Sequence, residues 1–286
     1  MRIDVTTEPG DPQRPNEDYV SVALPASGEG GALVVLDGVT PPREDVGCVH
    51  GVPWFTARLG GALLELSGSR RDMTLAECLA AAVVRTADAH RASCDLSHIR
   101  TPQSTVVAAR WDAERVEHLV LSDSALLVED PEGGVHPVLD RRLDELPPRV
   151  RALRDRVREL RAAGDERAPA LAAAREEYVR AVEGLRNAPD GSGFYTAAAD
   201  PGVAERAVTG TLPRARVRAL LALTDGATRW TERFRLGDWA DLFGLVRKEG
   251  AGALVARVRA EESAEGGSAV RGGKRHDDAT VALAEL

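Results

Sequence analysis

The chain has 286 residues, of which 43% are hydrophobic and 29% charged, and 37 Lys and Arg against 45 Asp and Glu give a net charge of −8 at pH 7. This composition is typical of a globular protein with a sizeable core, and it excludes a disordered, collagen-like or membrane-spanning chain. The acidic balance argues against sequence-independent nucleic-acid binding, because that mode needs cations that neutralise phosphates.

The cysteines and the first residues predict a cytoplasmic location. Cys48, Cys78 and Cys94 lie far apart without a C-x-x-C pair, which argues against a disulfide framework and against a structural zinc site. The N-terminus lacks the basic segment and apolar run of a secretory signal. Since no 18 apolar residues run together, no membrane partner is expected.

The first half of the chain predicts strands with two helices among them. Short apolar runs bounded by Gly, Pro and Asp predict strands at 2–6, 18–24 and 32–36. Helical apolar spacing predicts helices at 53–66 and 75–92, the second with Thr74 as its N-cap. Four further apolar runs, at 104–111, 116–122, 125–130 and 134–140, suggest an antiparallel meander.

The second half begins with a change of composition. Between 140 and 187 the chain is rich in Arg, Ala, Glu and Leu, and its helical spacing, broken near 164–169, predicts a helical hairpin inserted at about 141–190. A strand at 217–223, helices at 239–247 and 253–262, and a strand at 279–286 are expected after it. Because strands and helices come in separate runs, the order favours an α+β layered sandwich.

Acidic residues recur where apolar strands meet loops. They are Glu17, Asp18, Asp37, Asp123, Asp225, Asp277 and Asp278. Carboxylates gathered in one cleft repel one another, and a hard divalent cation removes this conflict. Oxygen ligands favour Mg²⁺ or Mn²⁺ over zinc, and a glycine after Asp lets the backbone turn so that its carbonyl points into the site. Each pair alone also fits an ordinary turn.

Six short motifs in order resemble the PPM-type metal-dependent protein phosphatases, the type 2C class, with this chain as a divergent bacterial-type member. They are RPNED (14–18), VVLDG (34–38), STVV (104–107), LSDS (121–124), LTDG (223–226) and DDAT (277–280). The resemblance implies a single domain over 1–286. It also implies a four-layer α-β-β-α sandwich with two central antiparallel sheets, into which the helical hairpin is inserted.

The resemblance further implies a site for two Mn²⁺ or Mg²⁺ ions. Its implied ligands are Glu17, Asp18, Asp37, the Gly38 carbonyl, Asp225 and Asp277, with Asp123 near the cleft. Such paired ions activate a water and offset the charge of a phosphoryl group. The implied activity is hydrolysis of phosphoserine and phosphothreonine in proteins, with a role in signalling and with Arg14, Asp37, Asp225 and Asp277 as catalytic residues.

Two positions depart from the family pattern. Gln13 stands where the family carries a phosphate-binding arginine, so Arg14 is expected to take that role, and the alternatives are Arg229, Lys274 and Arg275. Val39 replaces a residue that is often histidine, which leaves water, His50 or His276 to protonate the leaving group. Trp230, after the Asp225-Gly226 turn, is a candidate to line the cleft.

Two other functions stay open. A regulatory binding module with weak or no activity is favoured by the displaced arginine and by the lack of glycines after Gly38, but the retained carboxylates argue against it. A phosphatase for small metabolites would keep the metals and present a closed pocket in place of an open groove.

Overall fold

A computed structural model describes residues 1–41, 46–163, 169–264 and 276–286, and the strands in these ranges form two five-stranded antiparallel sheets. The first sheet contains β1 (Arg2–Glu8), β6 (Ala125–Glu129), β7 (Val135–Val138), β9 (Ala219–Leu223) and β10 (Ala279–Glu285), in the order β1-β10-β9-β6-β7. The second contains β2 (Tyr19–Ala23), β3 (Gly31–Leu36), β4 (Val106–Trp111), β5 (Arg115–Leu121) and β8 (Val208–Pro213), in the order β2-β3-β4-β5-β8.

Helices cover the outer face of each sheet. The second sheet packs against α1 (Val52–Ser69) and α2 (Leu75–His90). The first packs against α5 (Asp225–Glu232), α6 (Trp239–Glu249) and α7 (Ala251–Ala264). A third apolar core lies between the two sheets, so the predicted α-β-β-α sandwich is confirmed. No helix in the described part of the chain is long and apolar enough to cross a bilayer.

Strand β3 shows why the central strands read as unbroken apolar runs. All six of its residues are buried. Leu33 and Val35 pack between the sheets, while Val34 and Leu36 pack under α1 and α2. Successive side chains of a strand point to opposite faces, so a strand covered on both faces needs an apolar residue at every position.

The predicted start of α2 is confirmed in detail. The Thr74 hydroxyl accepts from the Glu77 amide at 3.2 Å, and the Glu77 carboxylate accepts from the Thr74 amide at 2.7 Å. This capping box pairs two amides at the N-terminus of the helix. Asp238 and Asp241 form the same box at the start of α6.

The predicted hairpin consists of α3 (Pro148–Ala162) and α4 (Pro169–Glu183), and it has small apolar clusters of its own. Val157, Leu171 and Ala174 are buried between the two helices. Arg100, outside the hairpin, donates from Nε to Glu183 Oε1 at 2.9 Å and from Nη2 to Oε2 at 3.2 Å. This pair ties the C-terminal end of α4 to the body of the protein.

The predicted meander is wrong, because the chain changes sheets after β5. Strand β5 pairs with β4 and β8, whereas β6 pairs with β7 and β9 in the other sheet. Between them, Ser122 has a φ of 69°, the left-handed region that interrupts a strand. The edge strand β8 and the helix α5 are elements that the sequence patterns did not predict.

Candidate active site

A cavity of about 190 Å³ gathers acidic side chains from four distant parts of the chain. Its wall includes Asp37, Asp123, Asp225 and Asp277, together with Gly38. Asp37 follows β3 and Asp123 follows β5, whereas Asp225 begins α5 directly after β9 and Asp277 lies just before β10. Both sheets therefore contribute carboxylates to one place.

Hydrogen bonds from the neighbouring strand hold Asp37 in position. The Asp37 amide donates to the Thr105 hydroxyl at 3.1 Å, and the Thr105 amide donates to the Asp37 carbonyl at 2.9 Å. The Thr105 hydroxyl also lies 2.6 Å from the Ser124 hydroxyl. The STVV and LSDS motifs thus support the backbone that carries the Asp37 carboxylate.

The glycines after Asp37 and Asp225 are required by close packing. A Cβ on Gly38 would lie 2.4 Å from Val52 Cγ1 and 2.5 Å from the Glu17 carbonyl oxygen. A Cβ on Gly226 would lie 2.0 Å from the Asp278 carbonyl oxygen. Neither glycine has a left-handed φ. Lack of room, and not the sharp turn expected from the sequence, explains these Asp-Gly pairs.

Burial and mutual repulsion oppose ionisation of the cavity carboxyls. Burial raises the pKa of Asp37 well above its usual range, and repulsion from Asp225 and Asp18 adds to the effect. Burial, followed by repulsion from Asp277 and Asp123, raises the pKa of Asp225 to about 7. Burial also raises the pKa of Asp123. A cation would relieve the cost of placing these charges together.

Asp18 is not part of the cavity lining, and one of its carboxylate oxygens has no hydrogen-bond partner. Its Oδ2 accepts from the hydroxyls of Thr224 at 2.9 Å and Thr280 at 2.7 Å. Its Oδ1 is buried without a hydrogen-bond partner. Burial raises the pKa of Asp18 to about 8. A buried, unpaired carboxylate oxygen fits a position beside a cation.

Glu17 lies outside the cavity lining, on a loop that Asp278 fixes. Asp278 accepts from the Gly10 amide at 2.8 Å and from the Glu17 amide at 2.6 Å, and the Thr40 hydroxyl donates to the Glu17 carboxylate. The acidic residue at 278 therefore holds backbone in place, a role that the sequence patterns did not predict.

Arg229 is engaged with carboxylates and does not line the cavity. It donates from Nη2 to Asp277 Oδ2 at 2.8 Å, and its Nη1 donates to the buried Glu262 carboxylate. His276 Nδ1 lies 2.8 Å from the same Glu262. Arg229 is thus placed to orient Asp277, whereas His276 contacts Glu262 and is not part of the cavity lining.

The structure does not bring the other candidates into the cavity. Arg14 lies on an exposed turn, His50 lies beside cysteines elsewhere, and Trp230 packs in the core under the first sheet, so the expectation for Trp230 is wrong. Lys274 and Arg275 lie outside the described residues.

Arg186, just after α4, is a cation of the cavity wall that the sequence patterns did not single out. Its Nε is buried without a hydrogen-bond partner, and its guanidinium lies 5.6 Å from the centre of the Phe194 ring. Burial lowers its pKa, and attraction from Glu183 and Asp123 acts in the opposite direction. The Arg-rich composition of the hairpin hid this residue among solvated arginines.

Solved structures with this architecture resemble the chain at low sequence identity. A bacterial serine phosphatase is 11% identical, with a TM-score of 0.54 over 100% of this chain and 98% of that chain. The phosphatase Stp1 from Staphylococcus aureus is 14% identical, with a TM-score of 0.54 over 99% and 94%. The phosphatase PstP/Ppp from Mycobacterium tuberculosis is 17% identical, with a TM-score of 0.52 over 100% and 98%. These likenesses concern the fold.

The family itself is shown by sequence. No curated protein matches the chain significantly. The family model for protein phosphatase 2C, however, matches residues 11–257, which is most of the chain. Together with the sandwich, this match confirms the resemblance carried by the six motifs, and the chain belongs to the protein phosphatase 2C family of metal-dependent protein phosphatases.

Proposed function

We propose that this protein hydrolyses phosphoserine and phosphothreonine in proteins with two Mn²⁺ or Mg²⁺ ions. The observation that carries the proposal is the convergence of half-buried carboxyls on one cavity, two of them with raised pKa values. The proposed metal ligands are Asp37, the Gly38 carbonyl, Asp225 and Asp277, with Glu17 and Asp18 contributing directly or through water.

The donor set fits hard divalent cations. The proposed ligands offer only oxygen atoms, and oxygen-only sites favour Mg²⁺ and Mn²⁺. A structure of the catalytic domain of PstP, 16% identical to this chain, contains two manganese ions, which supports the choice of two ions here. When bound, such ions would lower the pKa of a water molecule and offset the negative charge that develops on the phosphoryl group during its transfer.

Residues of the protein itself orient the proposed metal ligands and bind the phosphate of the substrate. Arg229 holds the Asp277 carboxylate through a 2.8 Å hydrogen bond, and the Thr105 hydroxyl and amide hold the Asp37 backbone. We assign phosphate binding to Arg186 in place of Arg14, because Arg186 lines the cavity with a buried, unpaired Nε. A guanidinium binds phosphate oxygens through two parallel hydrogen bonds.

A second cavity favours a peptide as the substrate. It measures about 160 Å³ and shares Val39, Thr40, Val182 and Arg186 with the first. The two cavities together extend the site into a groove between α4 and the segment after Gly38. Residues that flank a phosphoserine would find room there, which a closed metabolite pocket would not provide.

We also propose that residues 1–286 act as one catalytic domain with the hairpin as an insertion. The hairpin supplies Val182 to the cavity wall, and Arg186 follows directly after it. We propose a cytoplasmic location, with which Cys48, Cys78 and Cys94 not being joined in disulfides agrees.

The test is hydrolysis of phosphothreonine peptides and of an aryl phosphate with added Mn²⁺. Asp37→Asn and Asp225→Asn are expected to lose at least about 100-fold in kcat, because each removes a charge that holds the ions. Asp88→Asn, a change on the exposed face of α2, is the matched control and is expected to keep full activity.

The alternative functions predict other results. Mn²⁺ binding without turnover of any phosphate would favour the regulatory module. Turnover of small phosphates without turnover of peptides would favour a metabolite phosphatase. Turnover that survives both Asp→Asn changes would contradict the proposed mechanism.

A further inference from the structure

Two cysteines and two histidines converge at one end of α1 and α2, apart from the phosphatase cavity. Cys48 and His50 lie in the loop before α1, His90 is the last residue of α2, and Cys94 follows in the next turn. One candidate ligand atom from each residue lies within 4.8 Å of all the others. None of the four lines the cavity that contains Asp37 and Asp225.

The sulfur–nitrogen distances in this cluster are close to the edges of a tetrahedral metal site, and the two sulfur atoms lie about 0.5 Å closer together than such a site places them. Cys48 Sγ lies 3.2 Å from Cys94 Sγ and 3.6 Å from His90 Nδ1. His50 Nδ1 lies 3.3 Å from Cys94 Sγ and 3.8 Å from Cys48 Sγ. Zinc bonds of about 2.3 Å to sulfur and 2.0–2.1 Å to nitrogen give tetrahedral edges of about 3.5 Å between sulfur and nitrogen and about 3.8 Å between two sulfurs. Binding of the ion therefore requires the two sulfurs to move apart by about 0.5 Å.

From this geometry we propose a structural Zn²⁺ site formed by Cys48, His50, His90 and Cys94. Thiolate and imidazole ligands select zinc, whereas the all-oxygen cavity selects Mg²⁺ or Mn²⁺. Binding displaces the proton of each thiol to solvent and changes no oxidation state. Four protein ligands close the coordination sphere, so the site holds no position for substrate.

The surroundings of the cluster orient its ligands. The His50 ring stacks on Trp54 with centroids 4.2 Å apart, and the His90 ring lies 5.1 Å from the same indole. The His50 amide donates to Cys48 Sγ at 3.4 Å. These contacts restrict the orientation of both imidazole rings and of the Cys48 sulfur, and contacts that orient ligands tune a metal site.

The proposed zinc ion joins two segments that a backbone hydrogen bond already brings together. The Asp95 amide donates to the Gly47 carbonyl at 2.7 Å. Val52, two residues after His50, begins α1 and packs directly against Gly38 of the phosphatase cavity. The zinc site would therefore hold the residues that directly precede α1, the helix that packs against Gly38, and its role is positional.

The spacing of the cysteines alone does not predict this cluster, because two of its four residues are histidines. The local pattern is C-x-H at 48–50 and H-x-x-x-C at 90–94. The two patterns are about 40 residues apart, and only the pairing of α1 with α2 brings them together. The expectation of no zinc site rested on the missing C-x-x-C and did not include these histidines.

The test measures metal bound to the full-length protein purified under reducing conditions. We expect one equivalent of zinc per chain by elemental mass spectrometry. After removal of zinc, Co²⁺ should give the visible bands of a tetrahedral site and a thiolate-to-cobalt charge-transfer band in the near ultraviolet. Zinc should bind at least 100-fold more tightly than Mn²⁺ at this site.

Variants distinguish the four residues from other ligands. Cys48→Ser with Cys94→Ser, and separately His50→Gln, should lower the zinc content well below one equivalent. Cys78→Ala is the matched control, since Cys78 is buried in α2 and is not part of the cluster. Asp225→Asn should keep its zinc, which separates this site from the phosphatase cavity whether or not the enzyme is active.

Three results would overturn the proposal. They are a reduced wild-type protein that binds neither Zn²⁺ nor Co²⁺, a cobalt spectrum without thiolate charge transfer, and a Cys48–Cys94 disulfide as the form isolated under reductant. If the double variant does not fold, the cobalt spectrum of the wild-type protein decides the question alone.

Discussion

Two carboxyls of the candidate site, Asp18 and Asp277, have different kinds of partner. Asp18 accepts from two threonine hydroxyls, whereas Asp277 accepts from the guanidinium of Arg229. Hydroxyls orient a carboxylate but add no positive charge, so the negative charge around Asp37 and Asp225 is only partly compensated. This imbalance is the physical reason to expect divalent cations there.

Replacing Arg186 by alanine should weaken substrate binding without changing metal binding. A hydrogen bond between charged groups contributes about 1.5–3 kcal/mol, so kcat/KM for a phosphothreonine peptide should fall about 10- to 100-fold. The Mn²⁺ dissociation constant from calorimetry should stay the same. Lysine at this position should restore part of the loss.

The control for this prediction is Arg180→Ala, which removes an exposed arginine of α4. It should leave kcat/KM unchanged. If Arg186→Ala behaves like Arg180→Ala, or if Arg14→Ala produces the larger loss, then Arg186 does not bind the phosphate.

Site residues that belong to a local sequence pattern could be predicted from the sequence. Contacts between residues far apart in the sequence could not. Asp37 and Asp225 can be recognised in the sequence because each belongs to an Asp-Gly pair that follows an apolar strand. The pairing of Arg229 with Glu262 joins residues 33 positions apart on α5 and α7, and no local pattern indicates it. For the same reason the sequence suggests His50 as a proton donor for the leaving group, whereas in the structure His50 lies beside Cys48 and Cys94.

The degree of burial decides which strands and helices can be predicted from apolar patterns in the sequence. Strands β3 and β9 are buried throughout and were predicted as apolar runs. The edge strand β8 has the polar sequence VTGTLP and is partly exposed, so no apolar run marks it. Helix α5 has eight residues, and its opening Asp-Gly imitates a turn.

The hairpin should loosen when its tether to Arg100 is broken. Glu183 is buried, and its bidentate pair with Arg100 is shielded from solvent, so Glu183→Gln should lower local stability by about 1–2 kcal/mol. Limited trypsin digestion in α3 and α4 should then be about 5- to 30-fold faster, because cleavage follows the population of the opened state.

The matched control is Glu176→Gln on the same helix. Glu176 is 71% exposed and pairs with Arg180 at 3.8 Å, a surface pair that contributes little. Its digestion rate should equal that of the wild type. Equal rates for all three proteins would show that Arg100 does not fasten the hairpin.

For the whole molecule, the buried carboxyls predict opposite pH effects with and without metal. Folding raises the pKa of Asp18 to about 8 and that of Asp225 to about 7, from 3.8. The folded metal-free protein therefore holds more protons than the unfolded chain. The contribution of these two groups to the free energy of unfolding is therefore highest below pH 3.8 and falls as the pH rises toward 8.

Manganese competes with those protons, so its stabilising effect should grow with pH. Between about pH 5.5 and 8, the increase in Tm on adding Mn²⁺ should become larger by roughly 5 °C in thermal scans. The Asp225→Asn variant, which keeps the Cys48 cluster, should show a smaller increase. A Mn²⁺ effect that is the same at both pH values would contradict the assigned burial of these carboxyls.

The most direct measurement is the anomalous scattering of manganese in crystals of this protein grown with Mn²⁺. We expect two manganese peaks inside the cavity, within bonding distance of the Asp37 and Asp225 carboxylates. A map without manganese beside Asp37 and Asp225, from crystals of protein that still hydrolyses phosphopeptides with Mn²⁺, would contradict this expectation.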